Sequence, residues 1–251
     1  MENHSLGQVV GAPSAPYETR LAQQCGQATS YRSVGSPSLP NYIGATSGDT
    51  WGIRDDDPPA AHAIKADNLF RQVRASGRSA VSFQEAMVNS CALTSKGRYA
   101  VKHNPAAYYQ GADDRPACVR DDIPLGTNDS GALHDALVNN NLPTFSFVTP
   151  DLCHDTHDCS VGVGDNWLAQ FLPALLSSKT YGAGRTVIFL VWDEESPMPF
   201  VVIAPTVPTG SVLAAAVDHY SLLRTTEDLL GITTHLAKAA AAPGMRSGFN
   251  L

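Results

Sequence analysis

Apolar residues recur at helical spacing in several segments of the chain and form short continuous runs in others. The clearest helix is predicted around Trp167, because apolar residues there recur at intervals of three and four as far as residue 176. Shorter helical patterns cover residues 15–24, 38–47, 68–75, 130–139 and 221–230. Runs typical of strands cover residues 28–34, 80–84, 144–148, 186–192 and 200–204.

This alternation of strands and helices predicts an α/β fold, with helices on both faces of the sheet. The unbroken apolar run 186–192 is typical of a strand that is covered on both faces of a parallel sheet. Residues 49–61 are predicted to be a loop, residues 89–123 a long excursion outside the core, and the tail after residue 237 loose at its end. No repeat or linker divides the chain, so we expect a single domain over residues 1–251.

Composition and charge exclude several classes of function. The chain is 43% hydrophobic, which excludes a disordered polyelectrolyte, and its 17 basic and 24 acidic residues give a net charge of −7. No run of Lys and Arg could neutralise a phosphate backbone, so we do not expect a nucleic-acid partner. No apolar stretch reaches the roughly 18 residues of a membrane-spanning helix.

The five cysteines favour disulfides, because none of them belongs to a CxxC pair. We expect a short-loop bridge between Cys153 and Cys159 and a longer one between Cys91 and Cys118, with Cys25 left over. This arrangement would place the protein in an oxidising compartment. The alternative is five buried free thiols in a cytosolic protein. No export signal follows the first methionine.

Three groups of polar side chains are predicted to meet at one edge of the sheet, beyond the carboxyl ends of strands. They are Glu2, Asn3 and His4; Asp151, Asp155, His157 and Asp158; and Asp193, Glu194 and Glu195. Acidic residues at strand ends are commonly only solvated loops, but carboxylates together with an amide are the ligands that a hard divalent cation needs. A metal site is therefore expected.

Ser38 is predicted to lie at or just before the N-terminus of a helix, which would make it a plausible nucleophile beside a metal. Its alternative role is an ordinary helix cap. His157 and His219 could be acids, phosphate ligands or surface groups, and their spacing does not choose among these roles.

Seven short motifs resemble, in order, the bacterial phosphoesterase family of the alkaline-phosphatase superfamily, which includes secreted acid phosphatases, phosphatidylinositol-3-phosphatases and phospholipases C. The motifs are MENHS (1–5), PSLPNY (37–42), KHNP (102–105), FVTP (147–150), HDCS (157–160), WDE (192–194) and HYSLLR (219–224). The chain looks most like the compact acid phosphatase branch. The resemblance implies an alkaline-phosphatase-like, mostly parallel sheet with helices on both faces, and a protein that is secreted or held in the cell envelope in its complete form.

The resemblance also implies roles for the matched residues. Glu2, Asn3, Asp193 and Glu194 would bind a divalent metal ion, and Ser38 would attack phosphorus and become a phosphoserine. His157 and His219 would hold phosphoryl oxygens or protonate the leaving alkoxide, and Asn41 and His103 would contact the substrate phosphate. The oxygen-rich ligands favour Ca²⁺ or Mg²⁺, while the nearby histidines keep Zn²⁺ open.

In the family an apolar strand leads into the Glu-Asn pair, whereas this sequence begins at that pair. The first strand therefore looks absent, as does the export signal. We expect Glu2 and Asn3 to lie on a frayed terminus and to bind metal weakly, and we expect an added upstream strand to raise both the melting temperature and the activity.

The function expected from the resemblance is a metal-dependent phosphomonoesterase of the acid phosphatase type, acting on small phosphate esters or on a phosphoinositide head group. A phospholipase C-type phosphodiesterase would use the same nucleophile and metal. A non-catalytic protein that binds phosphate or a lipid head group is the alternative of another class.

Overall fold

The computed structural model describes residues 1–251. The α-helices are α1 Leu6–Val9, α2 Pro16–Gln24, α3 Ser38–Ser47, α4 Leu69–Ala75, α5 Asp114–Asp121, α6 Ala132–Val138, α7 Val161–Leu176, α8 Lys179–Gly182, α9 His219–Leu229 and α10 Arg246–Phe249. The strands are β1 Gly26–Ala28, β2 Tyr31–Arg32, β3 Ala80–Gln84, β4 Asp122–Pro124, β5 Phe145–Thr149, β6 Ile188–Val191, β7 Phe200–Ile203, β8 Ser211–Leu213 and β9 Val217–Asp218. Short 3₁₀ helices cover Val101–His103, Pro105–Tyr108 and Ala237–Ala240. No helix is both long enough and apolar enough to cross a bilayer.

The strands form three sheets, ordered β6-β7-β1-β8, β4-β3-β5 and β2-β9. The pairings of β3 with β4 and β5, of β1 with β8 and of β2 with β9 are parallel, while β7 pairs antiparallel with β1 and β6. The predicted α/β fold with mostly parallel strands is therefore confirmed.

The prediction for the apolar run 186–192 is wrong in one respect. β6 pairs only with β7, antiparallel, and is an edge strand whose side chains are mostly half-buried. Hydrophobic periodicity reports burial of side chains and carries no information on the direction of the neighbouring strand, so the sequence could not reveal this pairing.

Helix α3 is the central buried helix, and all ten of its residues are buried. Pro37 precedes it, and Gly48 ends it in the left-handed conformation with φ of +79°. A Cβ atom at Gly48 would lie 2.3 Å from the carbonyl oxygen of Leu236, so glycine is required there. The C-terminal end of α3 thus packs against the segment that follows α9. At the other end of the helix, Ser38 faces the candidate site.

The first residues of the chain continue along the free edge of β6. The Met1 amino group donates to the carbonyl of Val191 at 3.0 Å, and the Asp193 amide donates to the carbonyl of Met1 at 3.1 Å. Glu2 is fully buried. The expectation of a frayed terminus is therefore wrong, because backbone hydrogen bonds join Met1 to residues 191 and 193 and the amide of Glu2 to the carbonyl of Asp155.

Two further expectations of loose structure are wrong. Tyr108 and Tyr109, within the excursion 89–123, are almost fully buried and belong to the apolar cluster beneath α3. Met245 and Phe249 in the tail are buried in the second cluster, around β7 and α7. Gly and Pro mark irregular backbone, but they do not exclude burial of the aromatic side chains between them.

Both expected disulfides are present. Cys91 is bonded to Cys118 and Cys153 to Cys159, and Cys25 is a free thiol. The second disulfide closes the loop that follows β5, and this loop carries Asp155 and His157. The bond thus restrains a segment that contributes directly to the candidate site.

Candidate active site

The Ser38 hydroxyl is buried at the start of α3 and donates to Oε2 of Glu2 at 3.0 Å. Tyr42, four residues further along the same helix face, donates from its hydroxyl to the other carboxylate oxygen of Glu2. The backbone of Glu2 is tied to the loop after β5, because its amide donates to the carbonyl of Asp155 at 2.7 Å. The candidate nucleophile and the first predicted metal ligand are therefore in direct contact.

His103 lies between two buried carboxylates. Its Nε2 is 3.2 Å from Oε2 of Glu2, and its Nδ1 is 3.0 Å from Oδ2 of Asp155, and both contacts are ion pairs. Burial opposes the charged imidazolium, but the negative charge of Glu2 and the contacts with Asp155 outweigh it and raise the pKa of His103. Burial likewise opposes ionisation of Glu2, and the charge of His103 outweighs it and lowers the pKa of that carboxyl.

Several oxygens in this cluster are buried without a hydrogen-bond donor. They are Oδ1 of Asn3 and Oδ2 of Asp193, together with Oδ2 of Asp155, whose one polar partner is the His103 ring in the ion pair described above. Asn3 adopts φ of +57°, and its backbone N–H donates to Oδ1 of Asp193 at 3.2 Å, which ties Asn3 to the Asp193 side chain. Burial, followed by the charge of Glu2, raises the pKa of Asp193 well above its usual value.

Unpaired buried oxygens are costly in an apolar interior, and a cation is the natural partner for them. Asn3 and Asp193 supply an amide and a carboxylate, and Glu2, whose charge acts on Asp193, supplies a second carboxylate. This donor set fits a hard divalent ion. Glu194, the fourth predicted ligand, is half-buried beside Ser36 and Asp56, and burial together with the charge of Glu2 raises its pKa.

His219 is buried, and both of its ring nitrogens are used within the fold. Nε2 donates to the carbonyl of Asp193 at 2.7 Å, and Nδ1 faces the Tyr31 hydroxyl at 2.8 Å. Burial lowers the pKa of His219 to about 4, so the ring is neutral and accepts at Nδ1. The structure therefore places His219 behind Asp193, where it holds the backbone of that residue.

His157 lies next to His103, and the centres of the two rings are 5.6 Å apart. Nδ1 donates to Asp158 at 2.7 Å, and Nε2 is 3.2 Å from Nζ of Lys102. Because an ammonium group only donates, Nε2 of His157 accepts in this arrangement. His157 is the most exposed of the three site histidines.

The Asn41 side chain shapes the loop before α3. Its Oδ1 accepts from the amides of Val34 and Gly35, both at 2.9 Å, and its Nδ2 donates to the carbonyls of Gly35 and Pro37. Both the oxygen and the nitrogen of the Asn41 side chain therefore bond to the backbone that leads into Ser38, and neither atom points toward a ligand.

The chain matches the family described as Phosphoesterase family over residues 9–233. This range covers about nine-tenths of the sequence and includes Ser38, His103, His157 and Asp193. The chain belongs to the phosphoesterase family. It is therefore a hydrolase that acts on phosphoric ester bonds, and its substrates are phosphate esters.

Curated relatives of this phosphoesterase carry phosphatase names. It is 27% identical to a phosphatidylinositol-3-phosphatase of Mycobacterium tuberculosis, over 92% of this chain and 75% of the relative. It is 30% identical to a phosphate-repressible acid phosphatase of Penicillium chrysogenum, over 70% of this chain and 42% of the relative. The chain is also 30% identical to an acid phosphatase of Aspergillus fumigatus, over 70% of this chain and 39% of the relative. The match thus spans about two-fifths of these two fungal relatives.

A solved structure shares the fold. A protein of the alkaline phosphatase superfamily from Vibrio parahaemolyticus superposes with a TM-score of 0.61, at 12% identity, over 99% of this chain and 69% of that one. The fold predicted from the motifs is thereby confirmed.

Three polar residues of this phosphoesterase site were not selected from the sequence. The sequence indicates Asp155 only as one of the polar residues after β5, without a particular role, and Tyr42 only as part of a motif. The spacing of four between Ser38 and Tyr42 was the available signal, because it places both side chains on one helix face. Tyr31 gave no signal, since its contact with His219 joins residues far apart in sequence.

The polar group predicted after β5 divides between two places. Asp155 and His157 join the site, whereas Asp151 lies in a separate cluster with Glu85 and His154. Asp151 also lies 3.8 Å from Arg98. Its carboxylate caps the turn that begins the loop, accepting from the amides of residues 153 and 154, which is a structural role.

Proposed function

We propose that this chain is a metal-dependent phosphomonoesterase in which Ser38 is the nucleophile and a phosphoserine is the intermediate. The observation that carries the proposal is the contact between the Ser38 hydroxyl and the Glu2 carboxylate, 3.0 Å long and buried beside the unpaired oxygens of Asn3 and Asp193. Such a hydroxyl lies where a bound cation and a helix N-terminus would both favour the alkoxide.

Glu2, Asn3 and Asp193 are the residues that would hold the metal, with Glu194 adjacent. When bound, the ion would supply a positive charge that stabilises the alkoxide and the transferring phosphoryl group. The oxygen-rich set favours Ca²⁺ or Mg²⁺, and His103 beside Glu2 leaves Zn²⁺ open.

The residues of the chain would then perform two displacements. Oγ of Ser38 forms a bond to phosphorus while the bond to the leaving oxygen breaks, and the Ser38 proton passes toward its acceptor, Glu2. His157, the partly exposed histidine, first takes up a proton from solvent at Nε2 in place of its contact with Lys102, and then gives this proton to the leaving oxygen as the bond to phosphorus breaks. Water later attacks phosphorus and releases Ser38, so two in-line steps give net retention of configuration.

The substrate class that we propose is a phosphate monoester, either a small one or the phosphorylated head group of a phosphoinositide. The phosphatase names of the fungal and mycobacterial relatives support this choice. The two disulfides support a secreted or cell-envelope location.

The test is hydrolysis of a nitrophenyl monoester and of the corresponding choline diester, before and after a chelator and with each metal restored. We expect a preference for the monoester, loss of turnover with the chelator and recovery with one divalent ion. Ser38→Ala should remove turnover, while Ser177→Ala, on the exposed end of α7, should not. Preference for the diester would instead support the phospholipase C-type activity, and full turnover by Ser38→Ala would refute the mechanism.

A further inference from the structure

Lys102 is the only lysine or arginine that forms a hydrogen bond or ion pair with the residues of the candidate site. Its Nζ lies 2.8 Å from Oδ2 of Asp56 and 3.2 Å from Nε2 of His157, and its side chain is 21% exposed. The ammonium group is therefore held by two partners on the open side of the site.

Both partners of Lys102 connect to the reacting end of the site. Asp56 accepts at Oδ1 from the amide of Leu39 at 3.0 Å, and Leu39 directly follows Ser38 in α3. His157 adjoins His103, which contacts Glu2. Lys102 is thus fixed between the N-terminus of α3 and the histidine proposed to act on the leaving oxygen.

The excess of carboxylates in the site favours such a cation. These carboxylates belong to Glu2, Asp56, Asp155, Asp193 and Glu194, and His103 is already paired with two of them. A divalent ion, the His103 imidazolium and the Met1 amino group would supply four positive charges against five ionised carboxylates, and a phosphate monoester enters as a dianion. The approaching substrate would therefore be repelled unless a second positive group faced its outer oxygens.

We propose that Lys102 binds a non-bridging oxygen of the phosphoryl group and so makes the site selective for dianionic monoesters over monoanionic diesters. An ammonium group has three donors, of which Asp56 and His157 use two, and the third is available to the substrate. Asp56 is a positioning residue that keeps the ammonium over the N-terminus of α3. This assignment rests on the proposed phosphatase function.

The experiment compares kcat/KM for a nitrophenyl monoester and its diester, and the inhibition constants for inorganic phosphate, in Lys102→Met and Lys102→Arg. The loss of a charged hydrogen bond to the dianion should lower kcat/KM for the monoester by about 10- to 100-fold and weaken phosphate inhibition similarly, with a much smaller effect on the diester. Lys102→Arg retains the charge and should recover most of the phosphate affinity.

The matched control is Lys238→Gln, which breaks a lysine–aspartate pair of similar length, 2.9 Å, at the other end of α3. Lys238→Gln should change neither kcat/KM nor the inhibition constant for inorganic phosphate. Lys102→Met leaves Asp56 unpaired, so the double variant Asp56→Asn/Lys102→Met, checked by thermal melting, keeps the comparison valid if the single variant is unstable.

The outcomes separate the two proposals. Equal losses on the monoester and the diester, or unchanged phosphate inhibition in Lys102→Met, would overturn the role of Lys102 while leaving the phosphatase assignment intact. A wild-type protein that, with each metal supplied, hydrolysed neither ester would refute the proposed function itself.

Discussion

At the residue scale, the site depends on polar side chains that are buried without full hydrogen bonding. Asn3 and Asp193 each leave one oxygen unpaired, and a nearby histidine, His219, is held neutral by burial. An interior of this kind costs stability unless a ligand completes it. The metal that we propose would pair with these oxygens and so stabilise the fold.

The Tyr31 hydroxyl should measurably stabilise the fold through His219. Tyr31→Phe removes the donor that faces Nδ1 of His219, leaving a buried acceptor unsatisfied, so the free energy of unfolding should fall by about 1–3 kcal/mol. A urea titration measures this change. Tyr181→Phe, on the half-buried α8, should have little effect, and an equal loss in both variants would contradict the role of Tyr31.

Glu18 should make stability depend on pH. Burial raises the pKa of this carboxyl from 4.5 to about 7, although the hydrogen bond from Trp192 alone would lower it. The folded state then holds a proton that the unfolded state has released, so stability should fall as the pH rises from about 4.5 to about 7. Glu18→Gln should remove this loss and stabilise the protein above pH 7 by about 1–3 kcal/mol.

Thermal melts of Glu18→Gln and wild type across this pH range provide the check. The two proteins should have similar stability near pH 4, where the carboxyl is protonated in both the folded and the unfolded state. A constant difference at every pH would show that the charge of Glu18 is not the cause.

At the element scale, α3 is the part of the fold that positions the reaction. It begins at the proposed nucleophile, its first turn is held by Asp56, and its end is fixed at Gly48. A buried helix of ten residues gives Ser38 a rigid support, which a surface loop would not provide.

Gly48→Ala should destabilise α3 strongly. Its Cβ would meet the carbonyl of Leu236 in a left-handed conformation, so we expect a loss of more than about 2 kcal/mol in urea unfolding. Gly231→Ala is the matched control, because Gly231 also has positive φ, +66°, but open space around it. If both variants lost the same stability, backbone conformation alone would explain the effect and the contact with Leu236 would not matter.

At the scale of the whole molecule, local patterns predicted the elements, and the resemblance selected the site residues. The bounds of α3 and β3 were correctly predicted because Pro37, Gly48 and the apolar spacing act locally. The antiparallel pairing of β6 could not be predicted, because hydrophobic spacing does not show which strand lies beside another or in which direction it runs. The structural role of His219 was hidden for the same reason, since its partners lie far away in sequence.

The whole site is assembled from segments that are remote in the chain. Glu2 contacts α3, the 3₁₀ helix that ends at His103 and the loop after β5, while its neighbours Met1 and Asn3 bond to Asp193 after β6. The disulfide Cys153–Cys159 restrains one of these contributors. The central claim is that this assembly makes Ser38 the group that receives phosphorus.

The most direct measurement is acid quenching of the metal-loaded protein during turnover of a phosphate monoester, followed by peptide mass spectrometry. We predict a phosphorylated peptide with the modification on Ser38, absent in Ser38→Ala and in protein stripped of metal. Efficient turnover by the wild type with no phosphate on Ser38 at any quench time, together with inversion at phosphorus, would contradict the account.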